Sequence, residues 1–395
     1  MCQSLRDSRP HPQIPTLSIW RAALLLFLTR RGSLNALESQ VRVSRRLQEW
    51  LGPRWPSADH IGSVMGLILP ARLRGLLRAI LLCVRRNKVL PQNCPWSFAA
   101  IDGHELFCGR SRHCPQCSTR RVTVAGKEVT EYYHRVVACD LVGQELNLPL
   151  DAEPIEPHEG EVVAARRLLE RVLKLYPRFF DAVVGDALYF EGPFFNLCLA
   201  HHKHVVAVLK DQQRSLFQDA LGLFAGMAPQ VWREGEKEIR CWDLEGFTSA
   251  ETIRAPLRVL HTEERSLLPA PRPDGSQQVP EVHSWWWVTT IPKSLLPSPS
   301  LCRWAHRRWG IENSLFRSLA THWGLDHCYK HDPVAILNFV LTLFIAHVLL
   351  QCFYLRNLKP QLRRRLPTLI ALADQMQATV ALPESPPVRP DPAPT

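Results

Sequence analysis

The chain has 395 residues, 46% apolar and 22% charged, a balance that excludes a disordered protein and leaves room for two or three cores. Basic residues outnumber acidic ones by 48 to 37, and the net charge of +11 favours an anionic partner, nucleic acid before membrane. The twelve cysteines stand mostly alone, which excludes a disulfide framework and fits a reducing cytoplasm.

Only nine of the basic residues are Lys, so part of that charge can reflect a GC-rich genome. At the N-terminus, LSIWRAALLLFL (17–28) is too short, and too soon followed by Arg30 and Arg31, to be a secretory signal. Apolar residues then recur at helical spacing through LESQVRVSRRLQEWL and GLILPARLRGLLRAILLCV, with Pro53, Pro56 and Pro70 as punctuation and Ser57 placed as an N-cap. Residues 1–94 are expected to form a helical domain. Its Arg-rich faces (Arg42, Arg45, Arg46, Arg72, Arg74 and Arg78 among them) either grip DNA phosphates or simply face solvent.

From 95 to 210 the pattern is α/β. WSFAAID, VTEYYHRVVACDLV and ELNLPL read as antiparallel strands, EGEVVAARRLLERVLKLYP as an amphipathic helix, and FDAVVGDALYF, PFFNLCLAHH and HVVAVLK as strand, helix, strand. Residues 211–292 alternate like strands around a Pro/Gly-rich stretch at 269–280, and are expected to form a β-rich insertion. Helix returns over 293–358. Within it, 333–353 is about as long as a bilayer is thick, yet Asn338, Thr342 and His347 interrupt it and basic residues flank both ends. A buried core helix, and no membrane partner, is the expectation. Residues 359–395 read as a basic helix followed by a disordered Pro-rich tail.

Three stretches carry the chemistry: AIDGHE (100–105), VVGDALYF (183–190) and RRWGIENSLF (307–316). Asp102 and Asp186 each end an apolar run that reads as a buried strand, where a carboxylate is costly unless a cation meets it. Glu312 falls four residues after Arg308, on the same helix face. Taken singly, each acid is explained without function, the two Asp as strand-end caps and Glu312 as half of an ion pair. Together they suit a site for two divalent ions, with which phosphoryl-transfer enzymes activate an attacking oxygen and stabilise a leaving one.

The three motifs, in this order and with a long gap before the third, resemble those of DDE transposases of the insertion-sequence-four type, including the H-repeat-associated branch. The resemblance spans about 96–355. It implies an RNase H-like α/β catalytic core with the β-rich insertion in the gap, and a transposase that cleaves DNA at element ends and joins the strand to a target. It also implies Asp102, Asp186 and Glu312 as ligands of two Mg²⁺ (or Mn²⁺) ions, with Arg308 near the scissile phosphate. Double-stranded DNA as partner, a dimer assembled on it, and a bacterial cytoplasmic location on the nucleoid follow from the same resemblance. The family often carries Tyr three residues before the Arg and Lys seven after the Glu. Ala305 and Leu319 stand there, so contacts to DNA ends fall to others, with Arg307, Arg317 and Lys210 as candidates. A catalytically inactive or repurposed DNA-binding derivative is the alternative, and the retention of all three acids argues against it.

Two further groups stand out. Cys108, Cys114 and Cys117, with His134, offer four ligands for a structural zinc; the alternative is a tight turn at Pro115 carrying reduced thiols. Trp285, Trp286 and Trp287 lie in the insertion, and on a strand Trp286 faces away from its two neighbours. They either pack in a core or, as in related transposases, offer Trp286 to an unpaired base.

Overall fold

The computed structural model describes residues 5–89, 96–210, 214–267 and 282–381. The Pro/Gly-rich 269–280 stretch and the Pro-rich tail beyond 381 lie outside the described residues. Five helices come first: α1 (Thr16–Leu28), α2 (Leu34–Val43), α3 (Arg45–Leu51), α4 (Ala58–Met65) and α5 (Pro70–Arg86). Local chemistry sets their starts. Ser33, Ser44 and Ser57 each accept a first-turn N–H, and Pro70 opens α5 where no N–H is needed. Next come β1 (Phe98–Gly109), β2 (Ser118–Val124), β3 (Lys127–Val142), β4 (Leu148–Ile155), α6 (Glu161–Leu175), β5 (Ala182–Gly185), α7 (Gly192–Ala200) and β6 (His204–Val208). The insertion holds α8 (Ser215–Phe224), absent from the sequence reading, then β7 (Gln230–Glu234), β8 (Lys237–Phe247), β9 (Leu257–Ser266) and β10 (Val282–Thr289). The chain continues through α9 (Ser298–His306), a π-helical turn (Ile311–Phe316), α10 (Arg317–Trp323), α11 (Pro333–Cys352), α12 (Pro360–Arg365) and α13 (Leu369–Ala381).

These elements form two compact units, one of residues 1–89, 106–133 and 318–395, the other of 90–105 and 134–317. The helical stretch 293–358 is thus shared, with α9 and the π turn in the second unit and α11 in the first. The reason lies in α11, which is apolar all round and packs against α1, α4 and α5 of the first unit. Two of its polar residues, Asn338 and Thr342, make buried hydrogen bonds there. Asn338 Nδ2 donates to the carbonyls of Met65 (2.7 Å) and Ile68 (2.8 Å), which the end of α4 leaves without helical partners. Thr342 Oγ1 donates to the Asn338 carbonyl at 2.7 Å and accepts from Trp20 Nε1 at 3.2 Å. Burial pushes the His347 imidazole down to about 4, so it is neutral. By length and composition Pro333–Asn357 could cross a membrane, but 83% of its apolar window is buried by protein.

The second unit is built on a mixed sheet. β1, β5 and β6 run parallel, while β3 and β4 form an antiparallel pair beside β1. β10 adds antiparallel to β6, and β9, β8 and β7 continue the sheet outward, so the insertion extends the core sheet instead of standing apart from it. This is the RNase H-like α/β core expected from the sequence, with helices supplied by α6 and α7. Arg171 and Arg167 of α6 reach Glu153 on β4 at 2.8 and 3.1 Å. The insertion is pinned by a buried pair: Arg258 on β9 donates to Asp243 on β8 at 2.9 and 2.7 Å and to the Leu296 carbonyl at 2.7 Å.

Candidate active site

Strand register brings the first two acids together. β1 and β5 pair Phe98 with Ala182, Ala99 with Val183 and Ala100 with Val184, and continuing that register two residues sets Asp102 level with Asp186. Asp186 directly follows β5 at its carboxyl edge, the place where α/β sheets offer side chains to ligands, whereas Asp102 lies within β1, just past its buried stretch Phe98–Ile101 and not at the strand end that the sequence suggested. Asp186 Oδ1 accepts the Ala187 N–H at 2.6 Å, starting a 3₁₀ turn at Ala187–Tyr189 that takes the chain away from the sheet.

The third acid comes from the π turn. Arg308, 4% exposed, has Nη1 2.6 Å from Glu312 Oε1 and 3.7 Å from Asp102 Oδ2. Its Cζ lies 5.0 Å from the Trp309 ring centroid, and its Nε is buried without a hydrogen-bond partner. Burial, and then the adjacent Glu312 carboxyl, push the Asp102 carboxyl up to about 7, against the pull of Arg308 and the Gly103 N–H. Asp186 behaves oppositely. Burial works to raise it, but the Ala187 N–H, Lys210 and Arg308 together hold it below its ordinary value. One guanidinium therefore serves a cluster of three acids, and one of these, Asp102, is only partly ionised at neutral pH.

Behind the acids lies a support that sequence reading missed. Glu161, the first residue of α6, accepts from the Tyr189 hydroxyl at 2.7 Å. A side chain at residue 185 would collide with the Tyr189 ring down to its Cβ, so Gly185 is required by close approach, and one at residue 103 would displace the Glu161 carboxylate. The glycines themselves, in IDG and VVGD, were the available signal.

The remaining expected residues fall as follows. Lys210 is exposed, with Nζ 3.1 Å from Asp186 Oδ1. Arg307 lies over the Trp304 ring at 5.0 Å and donates to the Gly143 carbonyl at 2.7 Å, and Arg317 is exposed. Arg308 is not a surface side chain; it is buried among the acids. Trp286 is half-buried and stacked on His261 at 4.2 Å, with Phe217 at 4.4 Å, while Trp285 and Trp287 lie on the other face against His306 and Trp309. Ala305 and Leu319, where the family often has Tyr and Lys, are fully buried, so neither position could present a side chain to DNA. Cys114, Cys117 and His134 come together with His331, which no sequence signal marked; Cys108 is exposed and bonds Glu131 instead.

Residues 111–349 match the family model of the transposase DDE domain. No curated protein matches the chain. The matched stretch contains Asp186 and Glu312 and begins after Asp102, whose place beside them rests on the β1–β5 register and on its contacts with Arg308 and Glu312.

Proposed function

This chain belongs to the DDE transposase family, and from that premise we propose that Asp102, Asp186 and Glu312 are its catalytic acids. The reading is a DNA transposase of the insertion-sequence-four type, H-repeat-associated branch, that cleaves double-stranded DNA at element ends and transfers the strand into target DNA. The observation that carries it is convergence: two acids just beyond the paired stretch of the neighbouring parallel strands β1 and β5, and a third held against the first by Arg308.

The donor set fits hard divalent ions. Three carboxylates supply oxygen ligands of the kind Mg²⁺ or Mn²⁺ takes, and crowded like charge on Asp102 and Glu312 is what such an ion relieves. Bound there, two ions would supply activation of the attacking oxygen and stabilisation of the leaving 3′ oxygen. The protein's own part is positioning. The sheet fixes Asp102 and Asp186, the Arg308 guanidinium orients Glu312, and Lys210 beside Asp186 offers a charge to a DNA phosphate. Arg307 and Arg317 are exposed cations available to the backbone beyond it. Trp286 serves an unpaired base only through what its existing aromatic stack leaves open. The Cys114, Cys117, His134 and His331 donors are unsuited to Mg²⁺ and are no part of this site.

A dimer on paired DNA ends, in the bacterial cytoplasm, completes the reading. The repurposed, inactive derivative would keep the basic helices, but nothing would hold three acids in reach of one another. The test is cleavage of end-containing DNA with Mg²⁺: Asp102→Asn, Asp186→Asn and Glu312→Gln should each lose about a thousandfold or more, with mobility-shift binding retained. Undiminished Mg²⁺-dependent nicking by Asp102→Asn would remove that residue from the assignment.

A further inference from the structure

We propose that Cys114, Cys117, His134 and His331 hold a structural zinc ion. Their four donor atoms lie within 4.8 Å of one another. A tetrahedral ion with Zn–S bonds of about 2.3 Å sets its two sulfurs about 3.8 Å apart. The Sγ atoms of Cys114 and Cys117 are 3.8 Å apart, and His331 Nε2 is 3.1 Å from Cys117 Sγ. The Cys-Pro-Gln-Cys turn is preformed: the Cys117 N–H donates to the Cys114 carbonyl at 3.0 Å, and the Cys114 N–H to Cys117 Sγ at 3.3 Å. Such N–H···S bonds aim thiolates at a common point. His134 follows Tyr133 along β3, Cys117 precedes Ser118, and Ser118 pairs with Tyr133, so both donors stand at the same end of the β2–β3 pairing.

Two thiolates and two imidazoles are a closed donor set for zinc, with no position left for a substrate. The surroundings explain what the ion would do. β2 and β3 make a hairpin whose β2 residues Thr119, Arg120 and Arg121 are all exposed, so little apolar burial holds it. β3 continues into the sheet beside β1 and β4, so β2 is its outer edge strand, and a metal at the start of β2 adds what apolar burial does not. His331 immediately precedes Asp332, whose side chain caps α11 by accepting from the Ala335 N–H at 2.8 Å. The ion therefore ties the hairpin to the start of the helix at the centre of the first unit. Neighbouring thiols serve as controls: Cys108 turns to Glu131, and Cys328 is half-buried close to the pair but outside the donor group.

The experiment is elemental analysis of the full chain purified from zinc-replete cells in magnesium buffer. About one zinc per chain is expected, retained in Cys108→Ser and Cys328→Ala and lost in Cys117→Ser and His331→Ala. Because those last variants can fail to fold, Co²⁺ is also added to chelator-stripped wild-type protein. A tetrahedral spectrum with thiolate-to-cobalt charge transfer supports the site. Zinc-free wild type with no such spectrum, a Cys114–Cys117 disulfide, or full zinc in both Cys117→Ser and His331→Ala overturns it. None of these readouts depends on DNA cleavage.

Discussion

Two buried arginine–carboxylate clusters of the second unit use the same groups to opposite ends. At Arg258 the guanidinium meets one Asp243 in a two-point contact, Ser298 adds a donor to the same carboxylate, and the Leu296 carbonyl takes a further N–H. At Arg308 one guanidinium faces Asp102 and Glu312, leaves its Nε unpartnered, and leaves Asp102 only partly ionised at neutral pH. The first cluster is complete within the protein, as a pair that fixes β8 and β9 to the following loop must be. The second is complete only when more positive charge arrives. A largely buried carboxyl on the sheet with its charge left unresolved marks a site that waits for a ligand.

Substitutions can break this contrast. The largest effect is expected at the finished pair: Arg258→Met strands Asp243 and should cost about 3–5 kcal/mol by urea unfolding, while Arg258→Met with Asp243→Leu recovers most of that loss. Arg308→Met should show the reverse profile. Cleavage of end DNA falls about 10²–10³-fold, and the unfolding midpoint moves far less than in Arg258→Met. Equal destabilisation by both would erase the distinction between the clusters.

Ion binding sharpens it further. Mg²⁺ added to chelator-treated protein should stabilise by about 2–3 kcal/mol at a hundredfold over its Kd, measured by thermal melts, and this gain should vanish in Asp102→Asn. The smallest effect concerns protons. In metal-free protein Asp102 titrates at about 7 when folded, against an ordinary value of 3.8. Between those pH values the folded state holds the extra proton, so stability falls as pH rises through the window. Asp102→Asn lacks that fall. Its melting temperature at pH 8 in chelator should exceed wild type by about 2–4 °C, with the two converging near pH 4.

The sequence exposed the acids because each closed an apolar run or stood one helical turn from an arginine, and those are local patterns. It also exposed the helix–strand rhythm from α6 through β6 and the opposed faces of Trp285 and Trp286. The rest needed contacts between distant segments. Nothing local ties Glu161 to Tyr189, or His331 to Cys117, since each pair meets only after the chain has folded. α8 was missed for a different reason. Leu216, Phe217, Ala220 and Phe224 do recur at helical spacing, but strand-like alternation on the C-terminal side dominated the reading of that region. The all-round apolarity of α11 said that it would be enclosed, without saying that α1, α4 and α5 would enclose it.

The π turn at Ile311–Phe316 has a cost that the family's motif does not spell out. Such a turn holds one residue more than an α-helical turn, so every side chain after it is rotated by about 100° relative to an uninterrupted helix. Deleting Asn313 would leave Arg308, Trp309 and Glu312 in place and give a more regular helix, yet swing the chain beyond it onto another face. The direction of the chain that follows the third acid is thus stored in a spare residue, and a one-codon loss would redirect α10 with every acidic side chain still encoded.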